Sequence, residues 1–146
     1  KEIGADEDIA KEVTALGESL NIGHKLCFTG PQSDVLPYLS ITDMGVNCSE
    51  REGLSNAVME YMAVGIPCVV SDAGGNPDLI THDVNGYVFK LDDYQALADL
   101  TLRLLDDESA RQRFIKKSWE KIEKEMSVET MLCQYENLYR GLLERG

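Results

Sequence analysis

Apolar residues Ile9, Val13, Leu16 and Leu20 recur at intervals of three and four between charged neighbours, which predicts an amphipathic helix over residues 6–20. Residues 26–29 are short and apolar, closed by Gly30 and Pro31, and predict a strand entering a turn. Ser33 or Asp34 is placed to cap a brief helix through Tyr38, and residues 42–48 predict a second strand that Gly45 and Asn47 weaken. A polar loop over 49–53 leads into a helix over 55–64, stopped by Gly65 and Pro67. Residues 67–71 run continuously apolar between breakers, the pattern of a strand covered on both faces. A glycine-rich turn, a helical turn over 78–81 and Asn85-Gly86 then precede a strand over 87–89. Helices are predicted over 94–105 and over 110–143, the latter broken near Ser127. Strands alternating with helices at this spacing predict an α/β fold with an open, mostly parallel, Rossmann-like sheet flanked by helices.

Composition narrows the classes of function. The chain has 146 residues and a formal net charge of -12, which argues against a broad nucleic-acid footprint or attachment to an anionic membrane, yet permits a small local anion site. Four cysteines stand far apart with no CxxC pair, and only two histidines accompany them, so no zinc site and no disulfide framework is signalled. No metal ligand set and no bound cofactor is expected. A reducing, cytoplasmic setting fits, and no window approaches the roughly 18 apolar residues of a membrane span. The opening Lys-Glu-Ile-Gly reads as part of something already under way, so residues 1–146 are expected to form a single domain that is incomplete at its N-terminal side.

The chemistry concentrates in Glu52-Gly-Leu-Ser-Asn-Ala-Val-Met-Glu60. A helix start leaves backbone amides unpartnered and carries the positive end of the peptide dipoles, so it attracts anions. Gly53 lets a diphosphate approach the backbone, and Ser55 and Asn56 are small polar donors beside it. Glu60 lies four residues beyond Asn56 on nearly the same helix face, suited to a diol such as ribose, while Glu52 precedes the helix and suits sugar hydroxyls. The same residues also read as an ordinary N-cap flanked by two solvated acids, with Met59, Met62 and Ala63 facing the core. Pattern alone leaves both readings open.

The string from Ser49 to Asp78, Ser-Glu-Arg-Glu-Gly-Leu-Ser-Asn-Ala-Val-Met-Glu-Tyr-Met-Ala-Val-Gly-Ile-Pro-Cys-Val-Val-Ser-Asp-Ala-Gly-Gly-Asn-Pro-Asp, resembles the donor-binding signature of the GT-B glycosyltransferases of family 4, also called glycosyltransferase group 1. The hallmark of that family, a glutamate followed after seven residues by a second, is met by Glu52 and Glu60. The likeness extends through the Gly74-Gly75 turn and Asn85-Gly86-Tyr-Val-Phe, and upstream to Lys25-Leu-Cys-Phe-Thr-Gly30.

The resemblance implies the C-terminal, donor-binding domain of a two-domain enzyme. It implies a nucleotide sugar as substrate, with Gly53, Leu54, Ser55 and Asn56 at the diphosphate, Glu60 at the nucleotide ribose and Glu52 at the donor sugar near the anomeric centre. Gly74 and Gly75 would shape the next loop of the crevice. The reaction would be transfer to an acceptor hydroxyl with retention, the acceptor (a glycan, lipid or small molecule) being held by an N-terminal domain, at the cytoplasmic side of a membrane or free of it. The family's basic Arg and Lys pair has no counterpart in this chain, and Asp78 stands where glutamate is usual. These departures lead to the expectation that the chain alone turns over nothing and that it self-associates where its sheet lacks neighbours. The alternative is a non-catalytic nucleotide-sugar or phosphate-binding module; a sugar epimerase or glucan phosphorylase of the same fold fits the glutamate spacing less well. His82 beside Asp83 suggests a dyad only by adjacency in sequence. Trp119, Tyr135 and Tyr139 are expected to pack on the body rather than stack on sugar.

Overall fold

The computed structural model describes the backbone of residues 3–144 and the side chains of residues 8–144. The chain divides into two compact units, one ending at Val35 and one starting at Leu36.

The first unit consists of helix α1 (Ile3–Ser19) and a single 3-10 turn at Gly23–Lys25. Asn21 takes a left-handed conformation, φ 58°, and the Ile22 N–H donates back to the Gly17 carbonyl at 2.8 Å, which closes the helix. Ile9, Val13 and Leu16 of the expected stripe lie on this helix and Leu20 lies just past its end, and all four are exposed. Residues 26–29 form no strand, contrary to the reading of their apolar run. A strand exists only through the ladder to a neighbour, and no described residue forms a β-ladder with these four.

The second unit carries a three-stranded parallel sheet in the order β1 (Gly45–Asn47), β2 (Cys68–Ser71), β3 (Tyr87–Phe89). Val46 pairs with Val69, and Val70 with Val88. A short helix α2 (Leu36–Leu39) precedes β1, helix α3 (Asn56–Val64) connects β1 to β2, and the single turn α4 (Asn76–Leu79) lies between β2 and β3. Three helices follow: α5 (Tyr94–Asp106), α6 (Glu108–Glu125) and α7 (Val128–Leu143). Asp93, Asp107 and Ser127 cap their N-termini through side-chain acceptors, so the break near Ser127 is a capped helix start.

All four residues of β2 are buried, as its unbroken apolar run predicts. Alternation along that strand feeds two cores. Cys68 and Val70 meet Val58 and Met62 of α3 together with Leu79 and Ile80, while Val69 meets Tyr87, Phe89, Leu104, Ala110 and Phe114. Helices thus cover both faces of the sheet, the α/β arrangement expected from the sequence. α3 ends at Gly65, φ 80°, against which the Trp119 ring lies. Trp119 remains half exposed, and Tyr135 and Tyr139 of α7 are exposed and stacked on each other at 6.4 Å rather than packed into the body. Parallel strands deliver their connecting loops to one edge of the sheet, and in open α/β folds that carboxyl edge is where ligands sit.

Candidate functional site

At the carboxyl end of β1 the chain leaves Asn47, runs through an exposed loop and enters α3; at the carboxyl end of β2 it leaves Ser71 and turns at Gly74 and Gly75. These two loops touch through their backbones. The Gly75 N–H lies 3.2 Å from the Glu52 carbonyl oxygen and 3.0 Å from that of Gly53. Gly74 has φ 57°, and a Cβ there would stand 2.5 Å from the Glu52 carbonyl oxygen. A side chain at either glycine would push the two loops apart.

Beneath them lies a buried polar cluster. The Asn47 side chain accepts from the Ser49 N–H at 3.1 Å and donates to Ser55 Oγ at 3.1 Å. Asn76 Nδ2 donates to Asn47 Oδ1 at 3.1 Å and to Ser71 Oγ at 3.2 Å, and Ser71 Oγ donates to the Ser49 carbonyl at 2.8 Å. Asn47, Ser55, Ser71 and Asn76 are all buried. Asn76 Oδ1 is buried without a partner among the described residues. Four segments, the ends of β1 and β2 and the starts of α3 and α4, are therefore joined at this end of the sheet by side-chain amides and hydroxyls.

On the outer side, Gly53, Leu54 and Asn56 are exposed, as are Glu52 and Glu60. A Cβ on Gly53 would meet nothing within 4 Å. The backbone N–H groups of residues 53–57 donate no hydrogen bond among the described residues, whereas the next two are taken: Val58 N–H by Ser55 Oγ at 3.4 Å and Met59 N–H by the Ser55 carbonyl at 3.0 Å. The start of α3 thus offers a run of unpartnered donors with open space over Gly53. The Glu52 carboxylate accepts from Ser49 Oγ at 2.7 Å. Hydroxyl hydrogen bonds from Ser55 and Ser49, with a smaller contribution from Asn47, hold its pKa below the usual glutamate value.

The structure brings Glu52, Gly53, Leu54, Ser55 and Asn56 together with Gly74 and Gly75, and sets Glu60 on the second turn of α3. It gives the Ser55 side chain an internal task as N-cap and partner of Asn47, so only its backbone N–H is open. Sequence reasoning passed over Asn47, Ser71 and Asn76. Asn47 reads as a residue that weakens a strand, and only the approach of three distant segments shows it to be a buried junction. His82 and Asp83 form no dyad: His82 Nδ1 accepts from the Val88 N–H at 3.1 Å on the outer edge of β3, and Asp83 pairs with Arg113 at 3.0 Å. Among the described residues no group of three or more His, Cys, Asp or Glu is arranged to hold a metal ion, and no helix is long and apolar enough to cross a membrane.

Comparison with known proteins decides the family. The family described as Glycosyl transferases group 1 matches residues 3–121. The chain belongs to the glycosyl transferases group 1. N-acetyl-alpha-D-glucosaminyl L-malate synthase of Bacillus anthracis is 30% identical over 131 residues, covering 90% of this chain and 34% of that protein. The amylovoran biosynthesis glycosyltransferase AmsK of Erwinia amylovora is 40% identical over 91 residues, which cover 58% of this chain and 22% of AmsK. The chain therefore spans about a third or less of the length of these curated relatives.

Among solved structures, the C-terminal domain of a group 1 glycosyl transferase, LpcC from Francisella tularensis, matches with a TM-score of 0.74 at 21% identity, covering 86% of this chain and 66% of that one. Anabaena HepE in complex with UDP matches with a TM-score of 0.87 at 21% identity over 95% of this chain and 38% of HepE. The group 1 fold seen here is that of the C-terminal domain of GT-B enzymes.

Proposed function

We propose that this group 1 glycosyl transferase segment binds a nucleotide sugar at the start of α3 and serves as the donor-binding half of a retaining glycosyltransferase. The diphosphate lies over Gly53 and is held by the N–H groups of residues 53–57, with the exposed Asn56 amide beside it. Glu60 accepts from the ribose hydroxyls. Glu52 accepts from hydroxyls of the donor sugar near its anomeric carbon. The chemical need is to stabilise negative charge on the departing nucleoside diphosphate while the sugar carries positive charge, and preorganised amides at a helix start do this without reorganisation. No role as nucleophile is assigned to either glutamate. The acceptor hydroxyl, on a glycan, lipid or small molecule, is supplied and positioned by parts of such a protein outside this segment, in the cytoplasm or at the membrane's cytoplasmic face. The segment alone turns over nothing, because exclusion of water and alignment of the acceptor need the second wall of the crevice.

The observation that carries this reading is the run of unpartnered N–H groups over 53–57 beside open space at Gly53, braced from behind by the Gly74-Gly75 turn. It is also supported by the names of the relatives, which are glycosyltransferases of carbohydrate biosynthesis, and by the bound UDP of HepE. Calorimetric titration with UDP, GDP, ADP and their glucose or mannose conjugates tests it. The expected result is saturable binding of one nucleotide, weakened at least tenfold by Glu60→Ala without loss of thermal stability. Absence of binding to the entire panel at millimolar concentration would refute it.

A further inference from the structure

Ser49 is bonded in three directions at once. Its N–H donates to Asn47 Oδ1 at 3.1 Å, its carbonyl accepts from Ser71 Oγ at 2.8 Å, and its hydroxyl meets Glu52 Oε1 at 2.7 Å. Asn47 is the last residue of β1 and Ser71 the last of β2, and both side chains are buried. Asn47 Oδ1 is itself held by Asn76 Nδ2 at 3.1 Å. The backbone of Ser49 is therefore tied to the ends of two neighbouring strands, one through each of its polar groups. Its hydroxyl, on the first residues of an otherwise exposed loop, starts from a fixed point of the sheet.

The third bond has only one possible sense. An ionised carboxylate can only accept, so the Ser49 hydroxyl is the donor. The separation of 2.7 Å is that of a charge-assisted O–H···O⁻ bond. Glu52 is exposed, and an exposed glutamate side chain turns about several bonds. Its backbone is held where the Gly75 N–H meets its carbonyl oxygen at 3.2 Å, but that contact says nothing of where the carboxylate lies. The Ser49 hydroxyl supplies that information. A carboxylate has about four acceptor sites, so one bond on Oε1 leaves the group able to take further hydroxyls.

We propose that Ser49 is a positioning residue for Glu52: anchored through its backbone to the ends of β1 and β2, it holds the Glu52 carboxylate by its hydroxyl and so presents the remaining acceptor sites to hydroxyls of the donor sugar. The last clause rests on the donor-site reading above; the bond and its anchoring do not. The effect falls on the sugar and not on the nucleotide, because the diphosphate is assigned to the N–H groups of residues 53–57 and the ribose to Glu60. A serine that merely stabilised the loop would affect both parts of the ligand alike.

Two substitutions test it. Ser49→Ala removes the hydroxyl and leaves both anchoring bonds, which use the backbone; Ser49→Thr keeps a hydroxyl in place. The readouts are a carbon-13 NMR titration of the Glu52 side-chain carboxyl, and calorimetric titration with whichever of UDP, GDP and ADP binds and with its glucose or mannose conjugate. In Ser49→Ala the Glu52 pKa is expected to rise toward the ordinary glutamate value, because a donor to the charged form is gone. Affinity for the sugar conjugate is expected to fall about five- to tenfold and that for the bare nucleotide by no more than about twofold. Ser49→Thr is expected to restore both. An unchanged Glu52 pKa in Ser49→Ala, equal weakening of nucleotide and conjugate, or no restoration by threonine overturns the proposal. Failure of the unaltered chain to bind any member of the panel removes the donor-site reading instead, and the carboxyl titration then decides the Ser49 bond by itself.

Discussion

The Gly75 N–H stands 3.0 Å from the Gly53 carbonyl oxygen, and a Cβ placed on Gly75 would overlap that same oxygen. The two glycines face opposite situations: Gly75 has backbone pressed against it, while a Cβ on Gly53 would meet nothing within 4 Å. Gly75→Ala is therefore expected to destabilise the fold by about 1–3 kcal/mol, the usual cost of overpacking. Gly53→Ala should stay within about 0.5 kcal/mol of the unaltered chain yet weaken nucleotide binding, because the open space is where the diphosphate is proposed to lie. Urea unfolding and nucleotide titration of the two variants check both halves. Equal stability losses would show that the two positions are packed alike.

Tyr87 is completely buried, its ring meeting Phe114 edge-on at 5.0 Å with the Arg103 guanidinium 5.0 Å from the ring centre. Its hydroxyl has no hydrogen-bond partner among the described residues, and burial pushes its pKa up. A buried hydroxyl without a partner costs about 1–3 kcal/mol, so Tyr87→Phe should leave stability unchanged or raise it. A loss of more than about 1 kcal/mol in thermal or urea unfolding would mean that the hydroxyl is hydrogen-bonded in solution.

Cys68 lies in the core of β2, where burial pushes its thiol pKa up to about 12. The unfolded thiol ionises near its ordinary value while the folded one stays protonated, so between about pH 9 and 12 the native state holds one more proton than the unfolded state. Stability from this group is intact below the unfolded pKa and is lost as pH rises, at about 1.4 kcal/mol per pH unit. Cys68→Ala should flatten that slope between pH 9 and 10. Thiol labelling gives the companion result: Cys27, Cys48 and Cys133 are exposed and react in the native chain, Cys48 more slowly because partial burial of its thiol raises its pKa, and Cys68 reacts only on unfolding. Rapid labelling of Cys68 in the native chain would contradict the packing described.

Much of this architecture is legible in the sequence where local chemistry decides it. The unbroken apolar run before Ser71, the αL glycine after α3 and the Ser127 cap each announce themselves, and β2, α3 and the start of α7 lie where those signals put them. Residues 26–29 failed because strand propensity says nothing about whether a neighbour exists. The exposed stripe of α1 and the exposed tyrosines of α7 show the same limit, since periodicity identifies an apolar face and not what lies against it. At the site, Glu52, Gly53 and Glu60 stand out by spacing. Asn47, Ser71 and Asn76 do not, because each is an unremarkable polar residue until β1, β2 and α4 are brought together. A buried polar junction is a property of three segments at once, and no single window of sequence contains it.

The central claim is that the start of α3 receives a nucleoside diphosphate, and the most direct test is a nitrogen-15 amide NMR titration of the chain with UDP, followed by GDP and ADP. The account predicts saturable shifts centred on the N–H groups of residues 53–57 and on Gly75, abolished for the first group when a Gly53→Ala side chain occupies the open space. Saturable binding whose shifts fall elsewhere, or no shift at 53–57 with any of the three at millimolar concentration, would contradict it.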